Sequence, residues 1–223
     1  MTAHNWWMLV PVRGFGTGKS RLAAVLDAQA RTVLNRHLLT HTLEAIAEAR
    51  GDLAQCLVVS PCEQALACAR ETGAQVLQEP AGGGLNAALT LGLRHARALG
   101  ATRALIIACD LPDLSGDALN ELIRLADGNE SAVLAPDRSG DGTNALAIDA
   151  AACDAFHFGE SSRALHVAAL ARAGQRCVLC RREELAFDLD MPRDYAEWMA
   201  RCGARIPRGL RAPARHRIVE TEK

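Results

Sequence analysis

Short apolar runs and helical segments alternate along this chain, and glycine-bearing links separate them. The apolar runs predict strands at residues 6–12, 55–60, 75–78, 103–109, 131–135, 144–148 and 175–182. Capping residues and glycine stops predict helices from Asp27 to 50, from 63 to 72, from the glycines 82–84 to 99, from Ser115 to 126, from Ser161 or Ser162 to 173, and from near Pro192 onward. This alternation predicts an α/β protein: one three-layer α/β/α domain over residues 1–202, with a mostly parallel sheet.

The run RALIIAC at residues 103–109 is nearly continuous in apolar character and ends at Asp110. A strand that is apolar on both faces suits the centre of a parallel sheet covered by helices on both sides. In open sheets of this kind, ligands bind outside the carboxyl ends of the strands. We therefore expect the chemistry of this chain in the loops that follow its strands.

The charge balance excludes several classes of function. The 223 residues include 25 Lys+Arg and 26 Asp+Glu, so that no overall basic field exists to attract nucleic acid. No apolar run is long enough to cross a bilayer, and the N-terminus lacks the pattern of a secretory signal. The sequence predicts a cytoplasmic protein with no nucleic-acid or membrane partner. Residues 203–223, rich in Arg and Pro, are predicted to be a disordered tail.

The eight cysteines are spread along the chain and are expected to be reduced thiols, mostly buried as small apolar groups. Cys177 and Cys180 form a C-x-x-C pair, which is also the spacing of metal and redox sites. The pair lies in a segment predicted to be extended, where side chains alternate between faces. We therefore expect the two thiols to point to opposite sides of a strand.

The first post-strand loop has the sequence RGFGTGKSR at residues 13–21 and resembles a phosphate-binding loop. A P-loop requires glycine where this chain has Arg13, so the match is incomplete. The glycines can still hold an anion with backbone N–H groups, while Lys19 and Arg21 contact phosphates. Lys19 is one of only two lysines, which favours a site for a compact point charge. The alternative is a flexible surface loop.

A second loop, residues 82–84, places three glycines before a predicted helix. Glycine permits close approach of the backbone to a ligand, here through Gly84, and Asn86 can bond a base or a ribose. An ordinary helix-entry loop explains this segment equally well.

Three aspartates complete the candidate site. Asp110 ends the central strand and can hold Mg²⁺ on a triphosphate, or can form an Asx turn before Pro112. Asp188 and Asp190 are two residues apart on an extended segment and point the same way, which favours a cation between them. Alternatively, Asp190 caps the helix that begins near Pro192.

Seven segments in the same order resemble the phospholactate guanylyltransferases of coenzyme F420 biosynthesis. They are residues 11–22, 59–61, 84–89, 110–112, 135–138 with 142–146, 158–162 and 189–192. The resemblance implies a nucleotidyltransferase fold of the glycosyltransferase-A-like type. It also implies Mg²⁺-dependent transfer of GMP from GTP to 2-phospho-L-lactate, phosphoenolpyruvate or 3-phospho-D-glycerate, with release of pyrophosphate.

Carried over residue by residue, the resemblance also assigns roles. It implies that Asp110, Asp188 and Asp190 hold the metals and that Thr143, Gly159 and Ser162 bind the acid. With the residues identified above, Lys19 and Asp110 become the catalytic pair, and Lys19, Arg21, Gly84 and Asn86 bind GTP. The acceptor phosphate is already nucleophilic, so none of the seven histidines is expected to act as a base. His157 lies near the acceptor loop and could contact the carboxylate of the acid, but a surface position is the favoured expectation.

Several alternatives stay open from the sequence. A P-loop-like small-molecule kinase would use Asp110 but leaves Asp188 and Asp190 without a role. A non-catalytic GTP-binding sensor has no need for the carboxylates. A homodimer, and transfer of the product to the next enzyme of the pathway, are compatible with the sequence but not specified by it.

Overall fold

The computed structural model describes residues 4–80, 82–129, 131–152, 155–202 and 210. The strands are β1 (Trp6–Pro11), β2 (Cys56–Ser60), β3 (Gln75–Gln78), β4 (Arg103–Ile107), β5 (Ala132–Pro136), β6 (Thr143–Asp149) and β7 (Cys177–Leu179). The helices are α1 (Ala28–Arg50), α2 (Glu63–Glu71), α3 (Gly84–Ala98), α4 (Gly116–Asn129), α5 (Ser162–Arg172), α6 (Glu183–Ala186) and α7 (Pro192–Cys202), with 3₁₀ turns at Ser20–Ala24 and Ala150–Ala152. Apart from Leu210, the predicted disordered tail lies outside the described residues.

The seven strands form one sheet in the order β3-β2-β1-β4-β6-β5-β7. β6 alone runs antiparallel to its neighbours β4 and β5, and every other pairing is parallel. The reversal is confined to β6. The short loop between β5 and β6 is enough to join an antiparallel pair, whereas parallel strands need a long crossover. The predicted mostly parallel sheet is therefore confirmed.

Side chains of the central strands alternate between two apolar layers. Trp6 and Met8 face the side covered by α1, α2 and α4, whereas Trp7 and Leu9 face the side covered by α3 and α5. Because both faces are covered, these strands read as unbroken apolar runs in the sequence. The three-layer α/β/α architecture is confirmed. None of the helices in the described ranges combines the length and the apolar character that a membrane crossing requires.

The predicted ends of α1 are confirmed, and both are marked by capping residues. Asp27 accepts a hydrogen bond from the N–H of Ala30 at 2.7 Å, and Gly51 ends α1 with a φ of 84°. The strand predicted over residues 175–182 is wrong in length, since β7 is short and the four-residue helix α6 follows it. Cys177 packs on one apolar layer and Cys180 on the other, which confirms their opposite orientation.

Gly92 lets α3 pack directly onto the sheet. A Cβ at this position lies 2.9 Å from Cγ2 of Val59, a stiff β-branched side chain in β2. We expect Gly92→Ala to lower the free energy of unfolding by about 1–3 kcal/mol, because the helix must move off the strand. Gly128→Ala, in α4 with open space around its Cβ, is the matched control and should be neutral or slightly stabilising. Urea unfolding of both variants tests this; equal midpoints would contradict it.

Candidate active site

Lys19 belongs to the first post-strand loop, and two aspartates hold its side chain in place. Its Nζ atom donates to Oδ2 of Asp110 and to Oδ1 of Asp190, each at 2.7 Å. The Lys19 side chain is only 9% exposed. Its backbone has a φ of 55°, in the left-handed region that non-glycine residues rarely adopt. Such strain is retained where the surroundings fix it, and it marks Lys19 as a candidate functional residue.

The two aspartates come from distant parts of the chain and are joined through the backbone. Asp110 follows β4, and its carbonyl accepts a hydrogen bond from the N–H of Leu189 at 3.0 Å. In this extended segment, Phe187 and Leu189 are buried and alternate with the half-buried Asp188 and Asp190. Asp188 and Asp190 therefore lie on the same side, toward Asp110.

Three neighbouring side chains hold the carboxylate-bearing segment in place. Nδ2 of Asn144, at the start of β6, donates to the carbonyl of Leu185 at 3.0 Å. The guanidinium groups of Arg138 and Arg201 lie 4.4 Å and 4.3 Å from the centre of the Phe187 ring. These contacts are cation–π interactions, and they fix the segment just before Asp188.

The charges of the cluster perturb one another. Burial raises the pKa of Asp188 to about 6, and the negative charges of Asp110 and Asp190 add to this. Burial opposes ionisation of Asp190 and of Lys19 as well, but the attraction of the Lys19 ammonium to the carboxylates of Asp110 and Asp190 outweighs it. The pKa of Asp190 is consequently lowered and that of Lys19 is raised. The cluster thus contains three carboxylates, two more than the single lysine ammonium can balance.

The carboxylate of Asp190 does not cap the last helix. The N–H groups of Asp190 and Met191 instead donate to Oδ2 of Asp194, at 3.2 Å and 2.7 Å. The capping alternative considered for Asp190 is therefore wrong, and its side chain is committed to Lys19.

The donor set suits a hard divalent cation, since Asp110, Asp188 and Asp190 supply only oxygen. Within the described residues, however, no three side chains of His, Cys, Asp or Glu are grouped closely enough to hold a metal ion. The Lys19 ammonium lies between Asp110 and Asp190 and serves as their counterion. Binding of a metal to this set requires the carboxylates to regroup around it.

Of the other residues assigned to GTP, Arg21 lies beside this cluster, whereas Gly84 does not. Nη1 of Arg21 lies 3.6 Å from Oδ2 of Asp190, and its side chain is 70% exposed. Gly84 begins α3 with a φ of 76°, which explains the need for glycine there. The structure brings Arg21 to the carboxylates, whereas Gly84 lies at the separate loop after β3.

Asn86 is engaged inside the protein and does not point freely into a base site. Its Nδ2 donates to the carbonyl of Phe158 at 3.1 Å, and its Oδ1 accepts from the N–H of Phe158 at 2.8 Å. This reciprocal pair, the Asn86–Phe158 clamp, joins α3 to the loop that precedes α5.

The three residues assigned to the acid lie together where this loop meets the start of α5 and the start of β6. Oγ of Ser162 donates to Oγ1 of Thr143 at 3.2 Å, and the N–H of Ser162 donates to the carbonyl of Gly159 at 3.2 Å. Gly159 has a φ of 131°, a conformation that L side chains rarely adopt. His166 also contacts Thr143, and sequence reasoning missed it. Its spacing of four residues from Ser162, on one helix face, was the available signal.

Lys19 and three carboxylates thus lie together in a three-layer α/β fold, beside the loop that follows β4. The fold is similar to that of a putative nucleotide-diphospho-sugar transferase from Desulfovibrio desulfuricans G20, with a TM-score of 0.72 and 17% identity over 93% of each chain. Residues 18–185 match the MobA-like NTP transferase domain. The chain belongs to this family of enzymes.

Two curated relatives extend over most of the chain. A phosphoenolpyruvate guanylyltransferase from Rubrobacter xylanophilus is 40% identical over 87% of this chain and 94% of its own length. A 3-phospho-D-glycerate guanylyltransferase from Phenylobacterium zucineum is 36% identical over 88% of this chain and 91% of its own length. The family resemblance inferred from the seven sequence segments is confirmed.

Proposed function

We propose that this chain transfers GMP from GTP to a phosphorylated three-carbon acid and releases pyrophosphate, as a step of coenzyme F420 biosynthesis. The acid is 2-phospho-L-lactate, phosphoenolpyruvate or 3-phospho-D-glycerate. The observation that carries the proposal is the cluster of Lys19 with Asp110, Asp188 and Asp190 beside a glycine-bearing loop. The names of the two curated relatives support guanylyl transfer and an acid of this size. GTP and these acids are cytoplasmic metabolites, so the proposal places the reaction in the cytoplasm.

The reaction needs charge neutralisation more than acid–base chemistry. An oxygen of the acceptor phosphate attacks the α-phosphorus of GTP, the bond from this phosphorus to the α–β bridging oxygen breaks, and pyrophosphate leaves. Near neutral pH the attacking phosphate is largely a dianion, so no protein group has to remove a proton. The difficulty is to align two polyanions, which preorganised positive charge relieves.

Asp110, Asp188 and Asp190 would hold Mg²⁺, whose chemistry when bound is to neutralise and orient the triphosphate. Lys19 contributes a second positive charge at the same point, and Arg21 a third at the exposed rim. The pKa of Asp188 is raised first by burial and then by the negative charges of Asp110 and Asp190, and a bound divalent cation would relieve the second of these causes.

The test is a pyrophosphate-release assay with GTP, Mg²⁺ and each of the three acids in parallel. We expect release with GTP and at least one acid, and little with ATP or CTP. GTP with a methylene group between the α- and β-phosphorus should block the reaction, whereas a β,γ-methylene group should not. Formation of GDP instead of pyrophosphate would indicate the kinase alternative. GTP binding without turnover on any acid would indicate a sensor.

The residues at the acceptor loop yield a substrate-selective prediction. Thr143→Val and Ser162→Ala should each raise the KM of the acid by about tenfold, because each removes a hydroxyl at the proposed anion site. The KM of GTP should change little. Thr32→Val, which removes a hydroxyl bonded to the Ala28 carbonyl within α1, is the matched control. A raised KM for GTP with an unchanged KM for the acid would show that the two substrate sites are reversed.

A further inference from the structure

We propose that His166 is a positioning residue for the acid acceptor, because its ring fixes the Thr143 hydroxyl as a hydrogen-bond donor toward an anionic oxygen of the acid. The inference rests on the proposed function for the identity of the ligand. It assigns a role to one histidine in a site where the reaction itself requires no general base.

The hydrogen bonds of His166 define which ring nitrogen carries the proton. His166 lies on α5, one turn beyond Ser162, and is 2% exposed. Its Nε2 accepts a hydrogen bond from the backbone N–H of His157 at 3.1 Å. An accepting nitrogen carries no proton, so the single N–H of the neutral ring is on Nδ1. Burial lowers the pKa of His166 to about 4, with His157 adding to the effect, which keeps the ring neutral near pH 7.

The Thr143 hydroxyl oxygen therefore receives two hydrogen bonds. Nδ1 of His166 donates to it at 3.1 Å, and Oγ of Ser162 donates to it at 3.2 Å. Among the residues that the structure describes, these are the hydrogen-bond partners of this hydroxyl. Both of its lone pairs are occupied, so its own O–H has to donate elsewhere. Thr143 is 6% exposed, and a donor buried to this degree needs an acceptor.

The acceptor that fits this donor is an anionic ligand oxygen near the carboxylate cluster. Thr143 begins β6, and the next residue, Asn144, accepts a hydrogen bond from the N–H of Ala108 at 2.8 Å. Ala108 lies two residues before Asp110, so the hydroxyl and the carboxylates share one edge of the sheet. Carboxylate and phosphate oxygens only accept hydrogen bonds at neutral pH, which makes an obligate donor selective for an acid.

A small cavity that the His166 ring helps to line does not offer a better binding place. Its volume is about 120 Å³, and its walls are mainly apolar, with Leu146, Ile148 and Leu170 among them. Among the described residues that line it, the only polar side chains are the rings of His157 and His166, and the His166 ring is neutral near pH 7. Taking the charge of the acid into such a cavity is unfavourable, so the acid is placed at the Thr143 hydroxyl.

Two amide substitutions test the hydrogen-bonding roles of the two ring nitrogens of His166 separately. In His166→Gln the side-chain oxygen can replace Nε2 as the acceptor from His157, but the donor to Thr143 is lost. In His166→Asn an N–H group can replace Nδ1 as that donor. We expect His166→Gln to raise the KM of the acid by about tenfold with little change in kcat or in the KM of GTP, and His166→Asn to restore most of the loss. His95→Phe, on α3, is the control and should leave all three constants unchanged.

A double-mutant cycle distinguishes positioning from a general packing role. If His166 acts through Thr143, then His166→Gln in the Thr143→Val background should cause no further rise in the KM of the acid. Additive effects, an unchanged KM in His166→Gln, or equal losses in His166→Gln and His166→Asn would each overturn the proposal.

Calorimetric titration of the GTP-bound protein with phosphoenolpyruvate, 3-phospho-D-glycerate and 2-phospho-L-lactate separates this proposal from the proposed function. Turnover by the wild-type protein with unchanged acid affinity in His166→Gln would overturn the role of His166 alone. Acid binding that weakens in His166→Gln, but without turnover by the wild-type protein, would overturn the proposed reaction alone. Absence of both binding and turnover would overturn both.

Discussion

Asp110→Asn is expected to lower the rate of pyrophosphate release by about 10²–10³-fold while the protein stays folded. The substitution keeps an oxygen that can accept from Lys19 but removes the negative charge at the end of β4. Two carboxylates instead of three would then be left to hold the divalent cation that neutralises the triphosphate. The measurement is kcat/KM for GTP with the acid saturating, together with the melting temperature.

Asp113→Asn provides the matched control for this result. Asp113 lies in the same loop, but its carboxylate pairs with Arg201 at 2.6 Å at the protein surface. Since surface ion pairs contribute little, this variant should keep nearly full activity. Normal turnover in Asp110→Asn, or an equal loss in Asp113→Asn, would rule out a specific role for the Asp110 charge.

Lys19→Arg is expected to reduce kcat/KM for GTP by about 10²-fold although the charge is retained. The Lys19 ammonium is a compact group that reaches two carboxylates at equal distances from a side chain that is almost fully enclosed. A planar guanidinium is larger and directs its N–H groups in a fixed fork, so it cannot replace the ammonium there. Lys19→Met should be at least as damaging.

Arg21→Lys tests whether the expected loss is specific to Lys19. Arg21 is exposed and lies farther from Asp190, so a flexible ammonium can take its place with less than about a tenfold loss. Steady-state kinetics of the three variants, with GTP varied and the acid saturating, give the comparison. Wild-type kinetics of Lys19→Arg would contradict the need for a compact ammonium and would support the alternative that residues 13–21 form an ordinary surface loop.

Local patterns in the sequence account for most of the fold. Asp27 and Gly51 define the ends of α1 because a helix has unsatisfied N–H and C=O groups only at its termini. The run that became β4 is apolar on both faces because helices cover both sides of the sheet. The helix α6 was missed because four residues are too few to show a helical period, and its neighbours look extended.

The candidate site was less predictable than the fold because its contacts are not local. Lys19 was expected to contact phosphates, but no pattern within the loop indicates that its ammonium meets Asp110 and Asp190, which lie 91 and 171 residues away along the chain. The sequence suggests a base or a ribose as the partner of Asn86. It could not indicate Phe158, because Phe158 bonds to Asn86 only through its backbone groups, which every residue has. His166 looks like an ordinary polar helix residue until the fold places it against Thr143 and His157.

With GTP at the start of α3 and the acid at the loop before α5, as the sequence predicts, we expect the Asn86–Phe158 clamp to make the binding of the two substrates interdependent. A ligand that orders the start of α3 should also order the loop before α5, since neither segment can move freely while both hydrogen bonds are kept. The second ligand then meets a segment whose conformational entropy is already reduced. Because such linkage is reciprocal, whatever GTP contributes to the affinity for the acid, the acid contributes equally to the affinity for GTP.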